Sequence, residues 1–164
     1  MRRLWFSVFV IFAALALSIA MAACHDDNSD VTAANQSLVR LSVDTPGTAK
    51  SGSSFGVQVR ALNVGLAGIH NSHVSVTIPA PLTVLSVTAP SGTNATFSNG
   101  PSGANVEWDF GTLDSNSESK LDITVMGVLA PTESTKKLTI VAQMTAQGIS
   151  PGNAVAQSDV TLIL

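Results

Sequence analysis

From Val39 onward apolar and polar residues alternate with a period of two, and this pattern limits the fold more than any other feature of the chain. Successive side chains of a β-strand point to opposite faces, so alternation marks strands with one buried face and one wet face. Val39, Leu41 and Val43 alternate with Arg40 and Ser42, and Phe55, Val57, Val59 and Ala61 with Gln58 and Arg60. Val74, Val76 and Ile78 oppose His73, Ser75 and Thr77; Val106, Trp108 and Phe110 oppose Glu107 and Asp109. Leu121, Ile123 and Val125 oppose Asp122 and Thr124; Leu138, Ile140, Ala142 and Met144 follow, and Val160, Leu162 and Leu164 finish. Turn-forming clusters separate the runs: Thr45-Pro46-Gly47, Lys50-Ser51-Gly52, Ala89-Pro90-Ser91-Gly92, Asn99-Gly100-Pro101 and Ser150-Pro151-Gly152. A sheet with one apolar face must bury it against another layer, so the pattern predicts an all-β, antiparallel β-sandwich of about 7–9 strands over residues 37–164. With one cysteine, no tyrosine and 5% aromatic residues, the core must be aliphatic and free of internal disulfides.

The N-terminus obeys a different rule. Arg2 and Arg3 precede an apolar run from Leu4 to Leu17 broken only by Ser7, and small residues Ala22 and Ala23 lead to Cys24. This is the order of a secretory signal peptide, expected to be helical, over residues 1–23. Met21-Ala22-Ala23-Cys24 resembles the bacterial lipobox, with Met21 where the usual pattern has Leu. That resemblance implies cleavage before Cys24 and attachment of diacylglycerol to its thiol, so that the chain is held to a membrane through lipid on Cys24. Other readings of the segment stand beside it. Leu4 to Ala23 provides the roughly 20 apolar residues that span a bilayer as an uncleaved anchor. Ordinary cleavage after Ala23 would leave a free thiol, and Arg2-Arg3 fits a twin-arginine signal only without its surrounding consensus. By resemblance to enterobacterial lipoproteins, in which Asp after the cysteine retains a protein in the inner membrane, His25 in that place implies the outer membrane of a Gram-negative bacterium, with the face left open.

Residues 24–36 follow as a lipidated cysteine and flexible tether. His25–Gln36 has Val31 as its one sizeable aliphatic residue against Asp26, Asp27 and Asp30, too little apolar surface to order itself. Twelve such residues reach at most roughly 40 Å and average about 20 Å as a coil. The chain carries 8 Lys and Arg against 11 Asp and Glu, and removing Arg2 and Arg3 with the signal takes the formal charge from −3 to −5. A nucleic-acid partner is excluded by that balance, as is electrostatic steering to anionic surfaces.

Several ordered pieces of the domain resemble the bacterial conserved-repeat β-sandwich known as domain of unknown function 11, an immunoglobulin-like module of surface and secreted proteins. Its Lys-Pro-Gly-like turn is matched by Lys50-Ser51-Gly52, and its Asn-x-Gly turn by Asn63-Val64-Gly65. Its apolar-Pro-x-x-Leu corner is matched by Ile78-Pro79-Ala80-Pro81-Leu82, with Pro81 in place of Gly. Its apolar-Gly-Thr-Leu piece, polar turn and final alternation are matched by Phe110-Gly111-Thr112-Leu113, Asp114 to Ser119, and Leu121, Ile123 and Val125. The resemblance implies an immunoglobulin-like sandwich and transfers no functional residue, because all of these are scaffold positions. Family members usually occur in tandem, whereas this chain holds one copy.

The chemical motifs weigh less than their structural explanations. Gly52-Ser53-Ser54-Phe55-Gly56 matches the nucleophile elbow literally, but that motif needs a helix after the serine, and alternation from Val57 predicts a strand. His70 and His73 have a spacing seen in metal pairs, yet residues three apart in a regular strand face opposite ways. Asp26, Asn28 and Asp30 imitate a calcium loop without its glycine or closing glutamate. Trp108 is expected in the core rather than as a sugar platform, and Asn35 and Asn94 head acceptor patterns without significance in a bacterial lipoprotein. Loops Gly65–Gly68 and Thr93–Gly103 are the places expected to bind, the second because it is long and polar. No catalytic or metal-binding residue and no cofactor is expected. The resulting expectation is a lipid-anchored, non-enzymatic cell-envelope protein with a structural or protein-interaction domain of the adhesion type and an envelope protein as partner. The competing expectation is a module binding carbohydrate or calcium, supported by Phe97 and scattered loop acids, with an enzyme as a third class.

Overall fold

A computed structural model describes residues 39–149 and 154–164, all within one compact unit. The expected signal peptide, the tether, Cys24 with its lipid, and the Ser150-Pro151-Gly152 turn lie outside the described residues. Ten strands run in order: β1 Val39–Asp44, β2 Thr48–Lys50, β3 Ser54–Asn63, β4 Ile69–Pro79, β5 Leu82–Thr88, β6 Asn94–Gly100, β7 Gly103–Leu113, β8 Glu118–Gly127, β9 Thr135–Thr145 and β10 Val155–Ile163. They form a four-stranded sheet of order β1-β3-β8-β5 and a six-stranded sheet of order β2-β10-β9-β4-β7-β6. All pairings are antiparallel except the short parallel pair of β2 with β10. The molecule is thus an immunoglobulin-like β-sandwich, as the alternation and the single apolar face of each strand require.

The alternating residues form the core. Val57, Val59 and Ala61 of β3 and Leu121, Ile123 and Val125 of β8 face Val74, Val76 and Ile78 of β4, Val106 and Trp108 of β7, Ile140, Ala142 and Met144 of β9, and Val160 and Leu162 of β10. Trp108 is fully buried, its ring centroid 4.5 Å from that of Phe110 at a tilt of 41°. Its indole N–H donates to Thr93 Oγ1 at 3.3 Å, so the one polar atom of this large side chain stays partnered. Leu164, the last residue of the final alternating run, lies past the end of β10 and is exposed.

Three strands carry no clean alternation. β2 has three residues. In β5, Leu82 and Val84 are buried, but a register shift between Val84 and Ser86 leaves Leu85 exposed and breaks the period. In β6 every residue except the partly buried Ala95 is exposed, so neither face has an apolar pattern to display. The segment from Thr93 to Gly103, expected as a binding loop, is therefore mostly an edge strand and its hairpin turn to β7.

The corner Ile78–Leu82 carries the chain from the six-stranded to the four-stranded sheet. The start of β7 is packed against it. Gly103 has φ +129°, and a Cβ there would collide with the Ile78 carbonyl oxygen and lie 2.9 Å from Ala80 N. Gly56, by contrast, sits in a strand with nothing within 4 Å of an added Cβ. Gly103→Ala is expected to lower unfolding stability by about 3 kcal/mol, and Gly56→Ala to change it by less than about 1 kcal/mol, as read by urea titration. Equal effects at the two positions would contradict the close approach at the corner.

Candidate functional site

The outer face of the six-stranded sheet gathers polar groups in register. His73 of β4 lies opposite Asp109 of β7, Ser75 opposite Glu107, and Thr77 opposite Asn105. β6 continues these rows with Asn94, Thr96 and Ser98, and β9 adds the uncharged Thr145 beside His73 and Gln143 beside Ser75. Cross-strand neighbours on one face lie close enough for direct contact. His73 Nδ1 is 2.6 Å from Asp109 Oδ1 and Nε2 is 2.6 Å from Glu107 Oε2. Carboxylate oxygens accept, so both ring nitrogens must donate, and the geometry is that of an imidazolium clamped between two anions. Glu107 Oε1 accepts in turn from Ser75 Oγ at 3.1 Å and from Asn105 Nδ2. Partial burial of His73 opposes its charge, but the hydrogen bonds to Asp109 and Glu107 and the two negative charges outweigh it and raise the pKa above the usual 6.5.

His70 and His73 do not face opposite ways, contrary to the regular-strand expectation. The register of β4 shifts between Ile69 and Ser72 and again between Ser72 and His73, and Asn71 takes φ +54°. Buried positions consequently run Ser72, Val74, Val76, while His70 Nδ1 meets the exposed Thr112 Oγ1 at 3.1 Å. Gly111, at φ +68°, places Thr112 and Asp109 on the same outer side of β7. A bulge adds one residue and so turns a spacing of three into a same-face spacing. The two histidines still have separate partners, and Glu107 and Asp109 take different nitrogens of one ring, so the groups do not converge on a point. Among the described residues no set of three His, Cys, Asp or Glu side chains is placed to hold a metal ion.

The loop Gly65–Gly68 is ordered by Asn63, the first residue of the Asn63-Val64-Gly65 turn. Asn63 is completely buried. Its Nδ2 reaches the carbonyl oxygens of Ala67 at 2.8 Å, Leu113 at 3.0 Å and Asp114 at 3.2 Å, while its Oδ1 accepts from Gly65 N at 2.9 Å. Ser115 Oγ donates to Gly65 O at 2.7 Å. The signal that could have revealed this was Asn two residues before Gly, the Asx-turn pattern in which the side chain satisfies the backbone. Asn99 plays a similar part at the other end of the fold. Its side chain accepts from Val84 N and donates to Val84 O, both at 2.9 Å, occupying backbone groups on the open edge of β5.

The remaining sequence candidates separate. Ser54 is the first residue of β3, so the Gly52–Gly56 pentapeptide is a turn feeding a strand and not a strand feeding a helix. Trp108 is in the core. Phe97 lies on β6 with 42% of its surface exposed, and Asn94 opens the same strand. Asp26, Asn28, Asp30 and Asn35 lie outside the described residues.

No protein-family model matches the chain, and no curated protein sequence matches it. Its fold is similar to that of a cohesin module from a Clostridium perfringens family 33 glycoside hydrolase, with TM-score 0.58 and 10% identity over 77% of this chain and 98% of that one. It is also similar to a non-cellulosomal cohesin from the archaeon Archaeoglobus fulgidus, with TM-score 0.55 and 14% identity over 77% and 91% of the two chains. A third similar structure is a CARDB domain from Pyrococcus furiosus solved with di-metal ions, with TM-score 0.53 and 16% identity over 76% and 87%. At these identities the likeness is one of fold.

The clamp at His73 has a pH signature. A group whose pKa is raised by folding stabilises the folded state fully below its unfolded value, and that stabilisation is lost as pH rises through the folded value. The urea midpoint is therefore expected to fall as pH rises from about 6 through the raised pKa of His73, and His73→Asn should flatten this part of the profile. An unchanged profile in the variant would show that the clamp contributes nothing.

Proposed function

We propose that the chain is a lipid-anchored, non-enzymatic protein of a bacterial cell envelope, whose sandwich serves as a protein-interaction module of the domain-of-unknown-function-11 type. The observation that carries the interaction reading is the free edge of β6. An unpaired strand edge offers a row of N–H and C=O groups to an added strand, and folded proteins ordinarily guard such edges with charge, bulges, proline or brevity. The β1 edge carries Arg40 and Asp44, the β5 edge is bulged at Leu85 and occupied by Asn99, and β2 is only three residues long. β6, of sequence Asn-Ala-Thr-Phe-Ser-Asn-Gly, has no charge, no proline and no register shift, and it exposes Phe97 beside the edge. Cohesin modules among the structural neighbours, one of them solved as a complex, support a binding role for this architecture. The anchor rests on Met21-Ala22-Ala23-Cys24 and the outer-membrane placement on His25.

Two experiments test the two halves. Labelled palmitate should enter the wild type and not Cys24→Ala, and only the wild type should stay in the membrane fraction; labelling absent from both would remove the anchor. Protease shaving of intact cells then separates a cell-surface domain from one facing the periplasm. For the edge, a photocrosslinker at Ser98 should give one discrete protein adduct in cells. Phe97→Lys should abolish it while changing stability by less than about 0.5 kcal/mol, as expected for an exposed site. A folded wild-type domain without an adduct would remove the edge reading. Glycan calorimetry covers the competing class: heat lost in Phe97→Ala would make the module a carbohydrate binder.

A further inference from the structure

We propose that the loop Gly65–Gly68 is a membrane-contact finger, with Leu66 seated in the headgroup region of the zwitterionic bilayer that carries the lipid on Cys24; this rests on the lipid-anchored reading above. Leu66 is 94% exposed, the most exposed large apolar side chain among the described residues. It is not on a slack loop. The buried Asn63 and Ser115 tie Gly65 and Ala67 on either side of it, so the ordering that binding would otherwise demand is already complete. An apolar residue displayed on a fixed, small-residue tip has no partner among the described residues, and it fits a shallow apolar layer better than water.

The position of the loop selects the bilayer as its occupant. Val39 pairs with Asn63, so the chain comes into the domain at the end where the Leu66 loop projects. A coil as long as the stretch between Cys24 and Val39 averages about 20 Å. β4 and β7, of eleven residues each, extend about 36 Å at roughly 3.3 Å per residue. A tether shorter on average than the domain keeps the Val39 end toward the membrane. It also supplies a local concentration at which one leucine contact is populated, although the same contact would be negligible for a free domain. The electrostatics choose the kind of surface. Asp114 lies beside Gly68, with Oδ1 3.8 Å from the place of an added Cβ, while Arg40 stands opposite Leu62 and Lys120 pairs with Glu118 at 2.9 Å near the same end. With Asp114 and Glu118 offset by Arg40 and Lys120, the end is charge-balanced and suits zwitterionic headgroups.

The test uses the full acylated chain in phosphatidylethanolamine-rich vesicles. With Cys24 acylated, a cysteine introduced by Ala67→Cys, or by Thr132→Cys in the β8–β9 connection at the other end, is the single thiol available for an environment-sensitive fluorophore. The label at position 67 should shift to the blue and be quenched by nitroxide lipids, and the label at 132 should do neither. Adding Leu66→Ser should reduce the ratio of contacting to free loop about tenfold, the loss of one leucine contact. If the chain is acylated and the two labels are equally wet, the finger is overturned and the anchor stands. If the label at 67 is buried in native membranes but not in lipid vesicles, the occupant is a protein and the bilayer assignment is overturned. If Cys24 carries no lipid, the anchored reading falls and the finger falls with it.

Discussion

The structure depends on the burial of two sheet faces against each other without any covalent support. One cysteine forbids an internal disulfide, so the inner faces must supply the stability through packing alone, and branched aliphatic residues do this in nearly every strand. Trp108 shows how tightly the arrangement is drawn. The largest side chain in the core has no exposed surface, stacks at a tilt on Phe110, and still finds an acceptor for its indole N–H in Thr93. Gly127 marks the same limit from the other direction, because a Cβ there would meet the methyl groups of Leu162 and Leu82 at 2.5 and 2.7 Å.

With the inner faces committed to packing, chemistry is left to the outer faces, the edges and the loops. The outer face of the four-stranded sheet is laced by charge, with Arg60 against Asp44 and Gln58 against Asp122. The outer face of the six-stranded sheet is mostly neutral and polar, interrupted by the His73 clamp and by the Lys137–Asp159 ion pair across β9 and β10. That clamp joins β4 to β7, the pair on which the Gly65–Gly68 loop and the β6 hairpin both lean. Its groups are partly exposed and screened by water, so it adjusts the central strand pair rather than holding the fold together. The edges differ sharply from one another. Charge closes the β1 edge, bulging and an asparagine cap close the β5 edge, brevity closes the β2 edge, and β6 stands open.

Much of the fold was legible because alternation is local. Each of the seven alternating runs became a strand, and the buried residues of those strands are largely the residues the alternation names. The missed strands show where locality ends. β6, at the edge of the larger sheet, leaves all but Ala95 exposed, and β5 loses its period at Leu85 because its partner β8 is one residue shorter in register. Nothing within seven residues of sequence announces either circumstance. The histidine pair failed for the same reason: the facing of His70 and His73 depends on a bulge that is set by the pairing of β4 with β7.

Local sequence is enough to say that the seven alternating runs from Val39 to Leu162 make strands, which faces of most of them are apolar, and that a polar, acidic stretch precedes them, after an apolar N-terminus headed by two arginines and closed by Cys24. Those are statements about neighbouring residues, and neighbouring residues carry them. Which strands lie at an edge, how the amides of Asn63 and Asn99 reach backbone groups far along the chain, and how His73, Glu107 and Asp109 meet in one clamp emerge with the assembled sandwich. These depend on sheet order and register, which are settled by the packing of the whole domain and by no single segment of it.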